Sequence, residues 1–220
     1  MKDTCAIILA GGQGTRMGRP KQMLLIKGKT VVERSIEAFK KVSRVAKIIV
    51  VSKQENIDIL SKKYKTITFA LAGDTRVASL KSGLSALGKN KYKLIAVHDG
   101  ARPLVLKEDI ENCLKSASKN KAAVLGVMSK DTVKQIKNGF VCKTLKRHEL
   151  FCAQTPQCYQ TQVLQKAILK YGTLDVTDES QLVEKIGVKV KAVLGSYSNI
   201  KITTPEDLII AEVLCKKTKK

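Results

Sequence analysis

Short apolar runs alternate with amphipathic stretches along the whole chain. Runs typical of buried strands lie at 6–9, 46–51, 66–71, 94–97, 122–127 and 188–194. Apolar residues recur at helical spacing within 30–42, 75–87, 108–117, 163–171 and 205–214. Strands that alternate with helices predict an α/β fold with a doubly wound, mostly parallel sheet. Ligands of such sheets bind beyond the carboxyl ends of the strands, so the polar residues that follow each strand are the candidates for binding.

One segment, 129–159, interrupts this alternation. It contains Asn138-Gly139 between two short stretches in which apolar and polar residues alternate, which is the pattern of a tight β-hairpin. An isolated hairpin is only marginally stable in water. We therefore predict a single domain, 1–220, from which a β-arm at 129–159 projects and packs against a second subunit.

The residues after the first predicted strand carry the strongest chemical signal. Positions 9–22 read Leu-Ala-Gly-Gly-Gln-Gly-Thr-Arg-Met-Gly-Arg-Pro-Lys-Gln. Close glycines let backbone N–H groups approach an anion, and three basic residues, Arg16 and Lys21 among them, add positive charge. Neither the dinucleotide fingerprint nor the Walker loop fits, because Met17 replaces the third glycine of the first and Pro20 precedes the lysine of the second. We predict an open loop that wraps a polyphosphate; a tight turn with solvated basic residues is the alternative.

A carboxylate and a guanidinium follow the strand predicted at 94–97. Asp99 and Arg102 stand where the ligand of a parallel sheet is expected, and Asp99 can orient a ribose, a magnesium-bound water or a phosphate. A surface turn at Asp99-Gly100 is the alternative. His98 is a weaker candidate for a general base, because a phosphate nucleophile is already ionised.

Three further segments carry candidate residues with simpler alternatives. Asp74 is predicted to cap a helix whose N-terminus, with Arg76 and Ser79, can also face a base or a phosphate. The segment 177–180 is typical of a helix start with acidic residues that match the helix dipole. Lys201 lies on an alternating stretch that predicts a strand, and an ordinary surface lysine is the other interpretation.

The chain is strongly basic, with a formal net charge of +22 that favours anionic partners. The lysines are scattered, aromatic residues make up only 4% and tryptophan is absent, so a platform for stacking bases is poorly supplied. No helix-turn-helix, zinc-finger or RRM pattern occurs. We expect no nucleic-acid partner and keep a basic nucleic-acid-binding module as the outside alternative.

Cysteine usage and hydropathy indicate a cytoplasmic protein. The six cysteines form no C-x-x-C pair and only two histidines are present, so neither a zinc site nor a disulfide framework is expected. No run of about 20 apolar residues predicts a membrane span. The first strand begins too early to leave room for a signal peptide.

Six motifs occur in order along the chain. They are LAGGQGTRMGRPKQ, AGDTRVAS, HDGARP, KDTVK, QTPQ and NIKITTPEDL. In this order and register, over essentially the whole chain, they resemble the 2-C-methyl-D-erythritol 4-phosphate cytidylyltransferase family of the non-mevalonate isoprenoid pathway. The closest alternative is the related ribitol-5-phosphate cytidylyltransferase, which shares the loop and the overall plan.

The resemblance implies a Rossmann-like nucleotidyltransferase fold, a homodimer and a reaction with CTP. The phosphate of methylerythritol phosphate would attack the α-phosphorus of CTP, pyrophosphate would leave, and a CDP-alcohol would form. Mg²⁺ or another divalent cation would be held mainly by the CTP phosphates, with Asp99 nearby.

The resemblance also implies a role for each candidate residue. Arg16 and Lys21 would stabilise the transition state. The nucleotide would be held by Ala10, Gly11, Gly12, Gly14, Thr15, Asp74, Arg76, Ser79 and Gly100. The sugar-alcohol phosphate would be positioned by Asp99, Arg102, Thr132, Arg147 and Lys201. Of these, Thr132 and Arg147 lie on the predicted arm and would serve the site of the other subunit.

Overall fold

The computed structural model describes residues 2–12, 20–89 and 91–217, with Lys216 and Lys217 described by their backbone alone. The strands in these residues are β1 (Thr4–Leu9), β2 (Leu25–Ile26), β3 (Lys29–Thr30), β4 (Val45–Ser52), β5 (Thr68–Leu71), β6 (Leu94–Asp99), β7 (Ala122–Met128), β8 (Lys134–Lys137), β9 (Phe140–Thr144), β10 (Phe151–Gln160) and β11 (Lys191–Leu194). The helices are α1 (Val31–Lys40), α2 (Gln54–Lys63), α3 (Arg76–Ser85), α4 (Lys107–Asn120), α5 (Thr161–Tyr171), α6 (Ser180–Lys185) and α7 (Pro205–Lys217).

Seven of these strands form one sheet, in the order β11-β7-β10-β6-β1-β4-β5. Strand β1 pairs in parallel with β4 and β6, β4 pairs in parallel with β5, and β7 with β11. Only β10 runs the other way: it lies between β6 and β7 and is antiparallel to both. The predicted α/β fold with a doubly wound, mostly parallel sheet is therefore confirmed.

Helices cover both faces of this sheet, which explains the apolar runs of the sequence. Successive side chains of a strand point to opposite faces. Ala6 and Ile8 of β1 pack in the same apolar cluster as α1 and α4, whereas Cys5 and Ile7 pack in the cluster that contains α3, α5 and α6. A strand covered on both faces has no solvent-facing position to be polar. Polar groups therefore concentrate at the strand ends.

The exposed hairpin is present, but it is shorter than the predicted arm at 129–159. Strands β8 and β9 form it, and Asn138 and Gly139 make its turn with φ of 51° and 83°. Residues 151–160 instead form β10 in the centre of the main sheet. The apolar pattern failed there because Gln154, Thr155 and Gln157 are buried in this strand. Their polar atoms are paired inside the protein, so a central strand tolerates them.

Local signals near the strand ends were only partly right. Thr75, not Asp74, caps α3, because its hydroxyl accepts the N–H of Ala78 at 3.0 Å. The stretch around Lys201 is not a strand; it is irregular and is held by a hydrogen bond from the N–H of Ile202 to the carbonyl of Ala101.

In the part of the chain that the structure describes, no helix is long and apolar enough to cross a bilayer, and the six cysteines are free thiols.

Candidate active site

A cavity of about 410 Å³ lies at the carboxyl ends of β1, β4, β5 and β6. Gly11 and Gly12 line it after β1, Lys53 after β4, residues 73–76 after β5, and Asp99 at the end of β6. Lys21, Gln22 and Lys201 complete its polar wall. Four basic and two acidic side chains line the cavity among the described residues, so it favours an anionic ligand.

The described part of the glycine loop packs closely against the loop after β5. A Cβ at Gly11 would collide with the side chain of Ala72, so only glycine fits this approach. The side-chain amide of Gln22 donates to the carbonyl of Gly12 at 3.0 Å and ties the start of the loop to its end. Lys21 opens a short 3-10 turn and lines the cavity. Gly14, Thr15 and Arg16, also predicted for this site, lie outside the described residues.

Two predicted nucleotide ligands, Ala10 and Gly100, do not line the cavity. The N–H of Ala10 donates to the carbonyl of Val51 at 2.7 Å, and its carbonyl accepts the hydroxyl of Ser52 at 3.0 Å. The N–H of Gly100 donates to the carbonyl of Leu9 at 2.8 Å. These backbone groups tie together the ends of neighbouring strands and position the loops that do line the cavity.

Asp74, Arg76 and Ser79, the predicted nucleotide ligands near the N-terminus of α3, all line the cavity. The Ser79 hydroxyl accepts the N–H of Gly73 at 3.1 Å and donates to the carbonyl of the same residue at 3.2 Å. This double contact closes the loop after β5 onto the first turn of α3. Ser79 therefore shapes the cavity wall as well as lining it.

Arg76 is held by two carboxylates at once. Its Nε and Nη2 donate to the two carboxylate oxygens of Glu179 at 2.8 and 3.0 Å, and its Nη1 donates to Oδ1 of Asp99 at 2.6 Å. Burial lowers the pKa of Arg76, but the two carboxylates outweigh burial and raise it above its ordinary value. Three N–H groups that a phosphate could use are thus directed at protein acids.

Asp99 is the centre of this charged network. Its Oδ2 lies 2.8 Å from Nζ of Lys201 and 3.8 Å from Nε of Arg102, while Oδ1 receives Arg76. Burial raises the pKa of Asp99, but Arg76 and Lys201 outweigh burial and hold the pKa well below its usual range. Asp99 is thus an ionised carboxylate that aligns two cations distant in sequence, Arg76 and Lys201, and lies near a third, Arg102, three residues further along the chain.

A buried chain of hydrogen bonds fixes Asp99 from behind. The Asp99 N–H donates to the hydroxyl of Thr155 at 3.0 Å, and that hydroxyl lies 2.9 Å from Nδ1 of His98. Nε2 of His98 faces the carbonyl of Arg102 at 3.2 Å, so the neutral ring with its proton on Nε2 fits both contacts. Burial lowers the pKa of His98 to about 4. His98 is fully buried and serves as a scaffold rather than as a base at the cavity.

Arg102 lies beside Asp99 but does not line the cavity. Its Nη1 donates to the carbonyl of Asn199 at 2.8 Å, and its Nε is buried without a hydrogen-bond partner. Burial lowers the pKa of Arg102, only partly offset by Asp99. The amide of Asn199 donates to the Oε1 of Gln154 and to the carbonyl of Thr155, so the loop that carries Lys201 is anchored on β10.

Thr132 and Arg147, the two arm residues of the predicted site, are exposed and do not line the cavity of their own chain. Arg147 begins the 3-10 turn Arg147–Glu149, and its guanidinium donates to the carbonyl of Lys130 at 3.2 Å. The structure therefore brings Asp74, Arg76, Ser79, Asp99, Lys201 and Lys21 together and leaves Thr132 and Arg147 apart from them.

Comparison with known proteins identifies the family. A model of the family described as 2-C-methyl-D-erythritol 4-phosphate cytidylyltransferase matches residues 4–217. The chain belongs to this family. It is 43% identical to a member from Endomicrobium trichonymphae over 96% of this chain and 98% of that protein. It is 42% identical to one from Caldanaerobacter subterraneus, again over 96% of this chain and 98% of the relative.

A solved structure agrees with this assignment. The 4-diphosphocytidyl-2C-methyl-D-erythritol synthase of Anaerococcus prevotii superposes with a TM-score of 0.88 at 34% identity, covering 98% of this chain and 96% of that one. Members of this family are cytidylyltransferases, so the chain is a nucleotidyltransferase enzyme. The Rossmann-like nucleotidyltransferase fold expected from the motifs is consistent with that superposition.

Sequence reasoning missed two members of the charged site. Lys53 lines the cavity after β4, and its sequence neighbours Ser52 and Gln54 carry no recognisable motif. The sequence favoured a helix-start role for Glu179, but Asp178 makes the local contacts, accepting the Ser180 hydroxyl and the N–H of Gln181. The available signal was the pair of adjacent acids, Asp178 and Glu179, at the start of α6. One acid is enough to cap the helix, so the other was free to have a distant partner.

Proposed function

We propose that this cytidylyltransferase joins CTP and 2-C-methyl-D-erythritol 4-phosphate to give 4-diphosphocytidyl-2-C-methyl-D-erythritol and pyrophosphate. The observation that carries the proposal is the cationic cavity at the carboxyl edge of the sheet, which is lined by Gly11, Gly12, Lys21, Arg76, Asp99 and Lys201. The match to the family over residues 4–217 supports methylerythritol phosphate, and not ribitol phosphate, as the acceptor.

In this reaction a phosphate oxygen of the acceptor forms a bond to the α-phosphorus of CTP. The bond from that phosphorus to the oxygen bridging the α- and β-phosphates breaks, and pyrophosphate leaves with the electron pair. Catalysis of such a transfer consists mainly of positioning and of stabilising the charge on the phosphoryl oxygens. Lys21, at the cavity wall beside the glycine loop, is placed for the second task, and the proposal gives Arg16 the same role.

The acceptor phosphate is proposed to bind at Lys201, which lines the cavity. Asp99 fixes the ammonium group of Lys201 at 2.8 Å, so this cation is oriented before the substrate arrives. A phosphate is already an anion at neutral pH and needs no base. The neutral, fully buried His98 is in accord with a reaction that uses none at this position.

Mg²⁺ fits the site as an ion carried mainly by the substrate. Mg²⁺ is commonly held by one or two carboxylates together with the phosphates of a nucleotide. No group of three or more metal-ligating side chains occurs among the described residues, and the acidic residues that line the cavity are Asp74 and Asp99. A bound divalent cation would neutralise the triphosphate and orient the leaving group, with one of these carboxylates completing its ligand shell.

A pyrophosphate-release assay tests the function directly. With CTP and Mg²⁺, we expect turnover with methylerythritol phosphate and a kcat/KM lower by at least about a hundredfold with ribitol 5-phosphate, because the site must pair each polar group of the accepted alcohol. Faster turnover with ribitol 5-phosphate would favour the related enzyme. Steeply salt-dependent DNA binding without any turnover would instead support a nucleic-acid-binding module.

The proposal includes a homodimer in the cytoplasm. Ile136, Phe140 and Val141 of the hairpin are exposed by 68%, 78% and 62% in one chain. Exposed apolar groups of this density usually mark a contact surface. In the proposed dimer the arm packs on the second copy, and the exposed Thr132 and Arg147 serve the cavity of that copy. The six free thiols fit a reducing compartment.

Mixing two inactive variants tests whether the arm acts across subunits. We expect Lys21→Ala and Arg147→Ala each to have little activity alone. Mixed and reassembled one to one, they should regain about a quarter of wild-type activity, because half of the dimers are mixed and one of their two sites is intact. If Arg147 served its own chain, both sites of a mixed dimer would be defective. Absence of recovery in proven mixed dimers would contradict the exchanged arm.

A further inference from the structure

Among the residues that the structure describes, Glu179 is the one buried acid of the charged network that does not line the cavity. Its side chain is fully buried, whereas that of Arg76 is 21% exposed at the cavity wall. It lies 103 positions from Arg76 in the sequence and reaches it with both carboxylate oxygens. Burying a charge is costly unless the charge is paired. Arg76 is the partner of this fully buried carboxylate, so we expect the effect of Glu179 at Arg76.

Glu179 is held rigidly where it stands. It directly precedes α6, and its carbonyl accepts the N–H groups of Leu182 and Val183 at 3.2 and 3.3 Å. Both of these side chains are buried in the apolar cluster that also contains α3 and α5. Asp178 makes the local capping contacts, which leaves the Glu179 carboxylate for Arg76. The backbone hydrogen bonds and the packing of α6 thus fix the Glu179 carboxylate in the position from which it contacts Arg76.

The bidentate contact with Glu179 determines which N–H groups of Arg76 remain available for other partners. A guanidinium gripped on its Nε and Nη2 edge is fixed in its plane and presents Nη1 in one direction. In this structure that direction is Oδ1 of Asp99, at 2.6 Å, and Oδ2 of Asp99 is then left for Lys201 at 2.8 Å. Without Glu179, Arg76 could grip Asp99 with two groups and compete with Lys201 for it.

We propose that Glu179 is a positioning residue for the acceptor phosphate: it anchors Arg76 so that Asp99 keeps Lys201 directed into the cavity. This inference rests on the proposed function, which assigns Lys201 to the acceptor. Glu179 itself touches neither substrate. Its effect passes through Arg76 and Asp99, and this separates it from a residue that merely holds α6 in place.

The test is Glu179→Gln, which preserves shape and removes the charge. We expect the KM for methylerythritol phosphate to rise about tenfold and kcat to fall about tenfold, because the positioned cation is lost. The KM for CTP should stay within about threefold, since the released Arg76 remains beside the nucleotide. The matched control is Glu184→Gln, the same change at an exposed position of α6, which should behave as wild type.

A double variant separates positioning from simple support of the fold. In an Asp99→Asn background, Glu179→Gln should change kcat and both KM values by less than about threefold further, because the residue through which it acts is already lost. Independent, multiplying effects would overturn the inference, as would wild-type kinetics of Glu179→Gln or an equal rise in both KM values.

Folding and function remain distinguishable in this design. If Glu179→Gln does not fold, Glu179→Asp is the second variant, because it keeps the charge but shortens the side chain by one methylene. A rise in the KM for methylerythritol phosphate without a rise in the KM for CTP supports the inference. Wild-type kinetics overturn it. If the wild-type enzyme shows no turnover with methylerythritol phosphate, the proposed function fails. A double-mutant cycle on the free energy of unfolding then tests whether Glu179 and Asp99 are coupled. A coupling energy of zero would overturn the inference.

Discussion

Lys21→Ala should lose at least about a hundredfold in kcat while remaining folded. A fixed cation beside the transferring phosphoryl group stabilises oxygens whose charge grows in the transition state, and removal of one well-placed donor of this kind costs roughly 3–4 kcal/mol of activation free energy. Lys21 lines the cavity together with Gly11 and Gly12 and begins the short 3-10 turn Lys21–Met23. Steady-state pyrophosphate release with saturating CTP and methylerythritol phosphate measures the loss.

The matched control for this variant is Lys29→Ala. Lys29 is an exposed lysine of β3 that does not line the cavity, so its substitution removes the same charge without changing the cavity wall. We expect its kcat to stay within about twofold of wild type and the thermal midpoints of both variants to lie close to the wild-type value, as for most surface substitutions. A Lys21→Ala enzyme with near-normal turnover would remove this lysine from the mechanism.

Asp99→Asn should damage both stability and catalysis. Asp99 is 8% exposed and faces Arg76, Lys201 and Arg102, so a neutral amide leaves three cations close together without their shared counter-charge. Breaking a buried pair from one side typically costs 3–5 kcal/mol; since Lys201 is 39% exposed, we expect about 2–3 kcal/mol here. Urea unfolding at neutral pH measures this loss, and kcat/KM should fall by at least about a hundredfold.

The pH dependence of that stability difference gives a second check. The pKa of Asp99 is lowered in the folded protein, so its contribution is complete above the unfolded pKa of about 3.9 and is lost as the pH falls through the folded value. The difference between wild type and Asp99→Asn should therefore be constant from about pH 5 to 8 and shrink below about pH 4. Asp58→Asn, at an exposed position of α2, should cost less than about 0.5 kcal/mol. An equal cost for the two variants would contradict the central role of Asp99.

The central sheet was predictable because its signal is local. Apolar runs at β1, β4, β6 and β7 reflect strands covered on both faces, and each run was visible without knowledge of its neighbours. The hairpin turn at Asn138-Gly139 was equally local, because its positive φ angles favour these residue types. Strand β10 was misplaced in the arm because its buried polar residues find partners only in the folded protein.

The candidate site also contains residues that local sequence predicted and residues whose partners only the folded protein revealed. Gly11 and Gly12 were predictable because closely spaced glycines after a strand have few other uses, and Asp99 because it ends a strand at the binding edge. The adjacent acids Asp178 and Glu179 suggested that one of them has a distant partner, but nothing in the sequence identified that partner as Arg76, 103 positions away, since many other cations could have met this acid. Ala10 and Gly100 were expected at the nucleotide, yet their backbone groups are engaged in joining strands.

The alternation of apolar runs, the glycine spacing and the order of the motifs by themselves determined the fold class, the family and the edge of the sheet at which the candidate cavity lies. These properties depend on periodicity and on residues close in sequence, which the chain displays without folding. The tertiary structure alone decided which distant charges meet: that Asp99 receives Arg76 and Lys201, that His98 is buried, and that Glu179 pairs with Arg76 without lining the cavity. Pairing of charges depends on distances across the sheet, and only the packing of strands and helices sets those distances.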